Sequence, residues 1–342
     1  MTKAYLAHGG KKSAALVLLA FMFALALSCG ITSTRWIHTQ FPGFFVMANR
    51  VVASVSLPSW PVANHRHTYQ HAVIAVNGVS IASSAELYAI VRQLPPDTAV
   101  TYTLEKNKKR SQVIVPTRTF MLGDYVFLFG SYIVSGLALA LTGLVVWTLK
   151  PEVPASQALF VTGIAGSLFA FTGLDLYGPH WFFRLHVIAE ALFPAGLLHL
   201  ALVFPVDRVR RRRTILLSIP YVVTGGLSIA YELFLYHPEA YSLIHNLSTL
   251  YGGLGGIALF SNTVGAYFTT NSHLVRQKIR VVLLGFLSGF ALPALLMLSS
   301  GVTGGGVSIN YAGFTVILFP LSLGYAIVKH DLFEIDALLK RS

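Results

Sequence analysis

His186 and Glu190 stand four residues apart in an otherwise apolar stretch, a spacing that places both on one face of an α-helix. Charge placed in hydrocarbon costs at least ~2.5 kcal/mol, so such a pair needs a partner, an aqueous cavity or a task. Asp175 and Glu232 fall at comparable depth near the ends of neighbouring apolar stretches, and Arg184 lies beside them. Asp175, Arg184, His186, Glu190 and Glu232 therefore form a candidate intramembrane polar site, suited to a ligand, a proton or a cation. A plainer arrangement satisfies the same residues, with Asp175 and Glu232 wet at their helix ends and His186 hydrogen-bonded to Glu190. His199 falls on the opposite helical face from Glu190 and reads as helix packing.

Hydrolytic chemistry is disfavoured by spacing. The run His186-Val187-Ile188-Ala189-Glu190 is H-x-x-x-E, whereas a zinc protease helix needs H-E-x-x-H to aim two ligands and a base at one metal. No G-x-S-x-G elbow occurs, and Ser288-Gly289 has no histidine at matching depth. The single cysteine, Cys29, excludes an internal disulfide and any C-x-x-C metal knuckle. No metal and no cofactor is expected, and the chain is not expected to be an enzyme.

The elements that must hold this site are membrane helices. The chain has 342 residues, 54% hydrophobic and 11% charged, where a soluble domain carries roughly a quarter charged residues. Uncharged runs extend over Ser13–Thr34, Tyr125–Leu149, Val153–Leu174, Thr214–Tyr231, Ala240–Val275 and Val281–Val328. A span needs roughly 20 apolar residues, so the last run holds two, hinged over Ser299–Ser308 where Gly304, Gly305 and Gly306 lie. The expectation is a polytopic α-helical membrane protein with about eight transmembrane helices, near 13–34, 125–149, 157–177, 183–205, 214–236, 247–270, 281–300 and 309–328.

Basic residues set the orientation. Lys and Arg of short connections stay on the cytoplasmic side. Placing the N-terminus inside gathers Lys3, Lys11 and Lys12, Lys150, Arg208 and Arg210 to Arg213, Arg276, Lys278 and Arg280, and Lys329, Lys340 and Arg341 on that face, and leaves only Arg184 in the short outer loops. The net charge of +12 thus reflects topology, and nucleic acid is not an expected partner. The first span has a second reading as a signal peptide, cleaved near Ala26-Leu27-Ser28.

Between Arg35 and Asp124 the composition becomes that of a small water-exposed α/β domain. Ala72–Val76 reads as a strand, Asn77-Gly78 as a tight turn and Val79–Ala82 as extended chain. Ser83 and Glu86 form an S-x-x-E capping box for a helix that ends at Pro95-Pro96 and buries Leu87, Ile90, Val91 and Leu94. Val100, Tyr102 and Leu104 alternate with polar residues as a half-buried strand. Gln112–Val115 continues as another strand, and Arg50–Leu57 supplies one before them.

This order, over His71 to Pro116, resembles a PDZ domain of the bacterial kind. The resemblance implies that Gly43, Phe44 and Phe45 occupy the loop whose backbone N–H groups receive a peptide carboxylate; the other reading is a packed domain with a closed groove. The anchor, the PDZ-like domain and the helix block together resemble the sensor half of ComP-like bacterial membrane histidine kinases. Three stretches carry that likeness: Asp124 at the second span, His199-Leu-Ala-Leu-Val-Phe-Pro205, and Ala326-Ile-Val-Lys-His-Asp-Leu-Phe-Glu-Ile-Asp-Ala-Leu-Leu-Lys-Arg341. No Gly-rich ATP lid, asparagine cluster or phosphoacceptor hairpin follows, so no phosphotransfer is expected from these residues.

The expected division is an N-terminal tail and anchor over 1–34, an extracytoplasmic PDZ-like domain over 35–122, a seven-helix block over 123–328 and a cytoplasmic juxtamembrane helix over 329–342. Lys329, His330, Leu332, Phe333, Ile335, Asp336 and Leu339 are the expected output residues. Leu332, Ile335 and Leu339 make an apolar stripe that either begins a two-helix stalk or lies along the membrane. The expected function is a sensory input module of the bacterial inner membrane within a two-component pathway, relaying a peptide or small-molecule signal. Its partners would be lipid, a second copy of itself, and a cytoplasmic kinase or GAF-type output. A permease using the polar site and a peptide-binding scaffold are the alternatives, glycines such as Gly252, Gly253, Gly255 and Gly256 marking either broken helices or close packing.

Overall fold

The computed structural model describes residues 2–207, 209 and 212–339, with side chains for 13–207, 209, 212–310 and 313–328. Six helical stretches are long and apolar enough to cross a membrane: Ser13–Trp36, Leu122–Leu149, Pro154–Gly173, Phe183–Val203, Arg213–Phe234 and His273–Val302. They make the chain a multi-pass helical membrane protein, since a helix satisfies its own backbone where no water can. Large apolar side chains such as Leu16, Phe23, Val222 and Leu284 are exposed on their surfaces, as lipid-facing positions require.

Helix α1 (Thr2–Ser33) is followed, after an intervening α/β segment, by α3 (Leu122–Tyr125) and α4 (Ser131–Leu149), joined through a π turn over Val126–Gly130. Helices α5 (Pro154–Gly173), α6 (Phe183–Val203), α7 (Arg213–Phe234) and α8 (Pro238–Thr269) come next. Then α9 (His273–Gly285) and α10 (Ala291–Val302) run together through a second π turn, and 3-10 turns over Asn310–Ile317 lead into α11 (Leu318–Leu339).

The expected count of eight differs from the six at two places. Helix α8 forms over the expected 247–270 and beyond it, but Ser242, His245, Asn246, Ser248 and Thr249 dilute its apolar character. The last expected span begins as 3-10 turns, leaving a shorter apolar helical stretch over Gly313–Val328. The expected third span stops at Gly173, because Asp175 accepts a hydrogen bond from the Phe182 N–H at 2.7 Å and closes a loop there.

Helix α8 runs unbroken through its glycines, whose role is close approach. A Cβ on Gly253 would stand 2.9 Å from Leu298 N of α10, and one on Gly163 would stand 2.5 Å from Leu139 O of α4. Small residues at such crossings let helices gain dispersion contacts that lipid cannot replace.

The segment between α1 and α3 forms an α/β cap. Strands β2 (Ala72–Val76), β3 (Val79–Ser80), β4 (Ala99–Lys106) and β5 (Lys109–Pro116) make an antiparallel sheet in the order β3-β2-β4-β5. Asn77 and Gly78 both have positive φ, as do Asn107 and Lys108 at the β4–β5 hairpin, the geometry that matches a strand pair's twist. Helix α2 (Ser84–Arg92) is capped by Ser83, whose Oγ accepts from the Glu86 N–H at 3.2 Å, while the Glu86 carboxylate accepts from Ala82 N at 2.8 Å. Val100, Tyr102 and Leu104 are buried on alternate positions, and Leu87, Tyr88 and Val91 form the buried helix face, Ile90 and Leu94 being only partly covered.

Residues 50–57 form no strand. They form the isolated bridges Val46↔Val52 and Val51↔Ala72, and beyond them Ser54 and Ser56 bond to Gly305 and Asn310 of the helix block. Short strands β1 (Gln40–Phe41) and β6 (Arg118–Thr119) pair to tie the start of the cap to its end. A cluster of Trp36, Phe41, Phe45, Trp60 and Phe120 fills the cap's base, with ring centroids about 5–6 Å apart as edge-to-face packing prefers.

Candidate functional site

The cap closes one end of the helix block. Its ties reach every loop on that end: Asn49 Nδ2 donates to Leu235 O at 2.9 Å, Ser54 Oγ to Gly305 O at 2.7 Å and Ser242 Oγ to Gln70 O at 3.3 Å. Ser56 is held by the 3-10 segment, its N–H donating to Asn310 Oδ1 at 3.2 Å and its carbonyl accepting from Asn310 Nδ2 at 3.0 Å. At the first turn of α3, Asp124 accepts from the Trp60 indole at 3.0 Å and from Met121 N at 2.8 Å.

Beneath this roof lies a cavity of ≈ 160 Å³. Met47, Ser54 and Gln70 line it from the cap, Phe169 and Gly173 from α5, and His186, Glu190 and Phe193 from α6. His245 of α8, Met297 of α10 and the segment holding Asn310, Gly313 and Val316 complete it. Its walls are mostly apolar, with one charged group at their centre.

That group is Glu190. Its Oε1 accepts from Tyr231 Oη of α7 at 2.9 Å, and His245 Nδ1 lies 3.0 Å from Oε1 and 3.2 Å from Oε2. The carboxylate therefore fixes the Nδ1–H form of the imidazole, and both oxygens are engaged. Tyr241 stacks on the His245 ring with centroids 5.9 Å apart and planes 8° from parallel. A buried carboxylate holds only if its lone pairs are matched in this way.

His186 lines the same cavity without bonding to Glu190. Its Nδ1 pairs with Thr172 Oγ1 at 3.0 Å, and its ring stacks on Phe169 with centroids 4.6 Å apart. The geometry thus corrects the simple His186–Glu190 hydrogen bond, because the helical face they share points each side chain at a different neighbour. The other polar candidates lie elsewhere. Asp175 is buried under the α5–α6 loop, and Arg184 pairs with Glu232 at 2.9 Å on the surface. None of the three lines the cavity.

His245, Tyr231 and Thr172 were not legible as site residues. The 247–270 span boundary excluded His245, and an uncharged tyrosine or threonine in an apolar helix carries no signal of its own. Only folding brings three helices' single polar groups together.

The Gly43–Phe45 loop is closed. Phe44 and Phe45 are fully buried, and the Val46 N–H that would meet a carboxylate donates to Tyr88 Oη at 2.8 Å, while Tyr88 donates back to Val46 O at 3.1 Å. Phe45 packs on Trp60 and Tyr177 and Phe44 on Tyr102, so these side chains belong to the packed interior of the cap and not to an open loop. Lys329, His330, Leu332, Phe333, Ile335, Asp336 and Leu339 belong to α11 by their backbone, and their side chains lie outside the described ones.

Among the described residues no group of three or more His, Cys, Asp or Glu is arranged to hold a metal ion. Comparison with protein-family models, with curated proteins and with solved structures finds no match to this chain.

Proposed function

We propose that the chain is a sensory input module of a bacterial cytoplasmic membrane, in which the α/β cap and the cavity beneath it receive a signal and α11 carries it inward. The single observation behind this reading is the shared wall of the cavity. Asn310, Gly313 and Val316 line it, Asn310 bonds to Ser56 of the cap, and the segment leads directly into the helix that ends at Leu339. A ligand that changes the fit of that wall would bias α11 between two arrangements, to the extent that it binds them differently.

The distribution of Lys and Arg supports a cap on the extracytoplasmic side and both termini in the cytoplasm. The order of strands and helix in the cap supports a PDZ-like ancestry, with a groove that Tyr88 and Phe45 now fill. Eight crossings, with α8 and Gly313–Val328 added to the six, agree with that arrangement. A homodimer, and a kinase or GAF-type output, are proposed on the resemblance of the sequence alone.

Spin labels at Thr148 on α4 and Ala337 on α11 test the relay. Replacing Ala170 by Leu fills the cavity and mimics occupancy, and the full chain in lipid nanodiscs should then show a shifted label distance. A distance distribution that is the same for the empty and the filled cavity would sink the sensory reading. The buried Glu190–His245 pair also suits a carrier, and uptake of solute into proteoliposomes would favour that second reading instead.

A further inference from the structure

Arg276 and Arg280 are exposed charges that the helix block holds together without neutralising. They stand four residues apart on α9 and share a face, where like charges repel. Their guanidinium carbons lie 6.0 Å and 5.8 Å from the centroid of one ring, Tyr267 of α8. Arg276 Nη2 also donates to Thr270 O at 2.9 Å, and Arg280 Nη2 to Tyr267 Oη at 3.3 Å. Among the described residues neither arginine forms an ion pair, and the chain carries no Asp or Glu between Glu239 and Asp331. Two cations are thus gathered on one tyrosine with nothing of opposite charge beside them.

The face that bears them continues into lipid-facing surface. Leu284 follows Arg280 by four residues and is exposed, as is Leu287 beyond it. At 1.5 Å per residue, Arg280 stands about 6 Å and Arg276 about 12 Å along the axis from Leu284. The headgroup layer is about 5–8 Å deep on each side of a bilayer, so these guanidiniums reach it just beyond the hydrocarbon. Phe268, exposed and packed edge-on to Tyr267 at 5.4 Å, marks the same level, where aromatic rings collect. A phospholipid places phosphate at this depth and acyl chain against Leu284 together. A soluble anion offers the first and not the second.

We propose that Arg276 and Arg280 hold the phosphate of an anionic phospholipid, one whose headgroup carries no ammonium to offset it, in the leaflet where they lie. That leaflet is the cytoplasmic one in the orientation proposed above. Arginine suits a phosphate because its planar fork of donors matches the oxygens in pairs. The buried face of the same helix packs on α11: Val282 lies in one apolar cluster with Phe319 and Leu323, and a Cβ on Gly285 would run into Ser322. Bound anionic lipid is thereby a second input to α11. That consequence rests on the sensory reading; the binding does not.

The full chain with Leu284→Cys, labelled with bimane and reconstituted in bilayers, tests the site, since Cys29 is buried and stays unlabelled. Phosphatidylglycerol and phosphatidylcholine with brominated chains quench the label according to their occupancy beside it. Phosphatidylglycerol should be preferred, each arginine contributing about fivefold, the worth of one basic residue at an anionic surface. Arg276→Gln or Arg280→Gln should lower the preference by about that factor, the double variant should abolish it, and Lys150→Gln should leave it unchanged. Salt should weaken the preference, and excess soluble glycerophosphate should not displace the lipid.

Equal quenching by the two lipids would overturn the assignment and leave the arginines to a soluble acidic partner. A preference that survives the double variant, falls as far in Lys150→Gln, or yields to glycerophosphate would overturn it too. If the double variant does not reconstitute, the single variants and Lys150→Gln still decide. A preference as ranked, with the same Thr148–Ala337 distance in both lipids, upholds the binding site and counts against the second input to α11.

Discussion

Phe45 of the cap lies flat on Tyr177 of the α5–α6 loop, ring centroids 4.3 Å apart and planes 5° from parallel. The cap is thereby seated on the helix block by an apolar contact, not merely tethered by its two chain ends. Phe129 of the second span packs against both rings, at 6.1 Å and 6.3 Å. Phe45→Ala should therefore loosen the cap, at a cost of about 3–5 kcal/mol for a buried ring of this size. Limited proteolysis of the cap in nanodiscs reads this directly, and cleavage no faster than in the natural chain would contradict the seating.

Asp124 gathers three donors at the mouth of the second span: the Trp60 indole, the Met121 N–H, and Arg118 Nη2 at 3.4 Å. Asp124→Ala leaves buried donors unmet, at roughly 1–3 kcal/mol for each that water cannot reach. Asp124→Asn keeps one acceptor and should be milder. The ordering of the two variants in thermal unfolding, followed by tryptophan emission, checks this, and equal loss would mean that Asp124 acts only as a helix cap.

Removing one member of the Glu190–His245 pair strands the other in an apolar cavity. Glu190→Leu should cost about 3–5 kcal/mol, and pairing it with His245→Leu should recover part of that loss. Glu232→Gln, which breaks the exposed pair with Arg184, should change stability by at most about 1 kcal/mol. Detergent-unfolding midpoints for Glu190→Leu, His245→Leu, their double variant and Glu232→Gln give the comparison. Additive losses in the double variant would show that the two side chains do not act as a pair.

Acid should weaken the cap. Burial lowers His71 below its ordinary 6.5, against the raising effect of its bond to Tyr69 O, and the charges of Lys106 and His67 lower it further. Burial likewise lowers His180, whose ring bonds Leu176 O and Ser84 Oγ. As the pH falls through 6.5, the unfolded imidazoles take protons while the folded ones stay neutral. The unfolded state then binds more protons, so stability falls with falling pH until the lowered folded values are reached. Cap unfolding followed between about pH 7 and pH 5 should show this slope, and His71→Gln with His180→Gln should flatten it. A slope of the opposite sign would mean that both rings, His71 of the cap and His180 of the α5–α6 loop beneath it, are charged in the folded state.

Gly305 has φ +89°, and a Cβ there would run into Gln70 and stand 2.9 Å from Ser54 Oγ. Gly305→Ala should therefore disturb the roof of the cavity more than Gly226→Ala, where no atom lies within 4 Å of the added carbon. Thermal unfolding of the two variants is the measurement, and equal midpoints would dissociate the roof from the Gly304–Gly306 turn.

Much of this was written locally. Long uncharged runs specify helices because hydrocarbon accepts only chain that bonds itself, and Lys150 and the Arg208–Arg213 cluster mark which connections resist crossing. Asn77-Gly78, the Ser83 cap and the alternation of Val100, Tyr102 and Leu104 likewise fixed a hairpin, a helix start and a strand face, because each depends on residues a few positions apart. The site was different in kind. His186 and Glu190 were visible through their helical spacing, but their partners Thr172, Tyr231 and His245 come from three other helices, and Gln70 of the cavity roof from a loop. Spacing along one helix says which residues share a face. Only the packing of helix on helix, with the cap pressed onto their ends, decides what that face meets, because such contacts depend on side-chain shapes far apart in the chain.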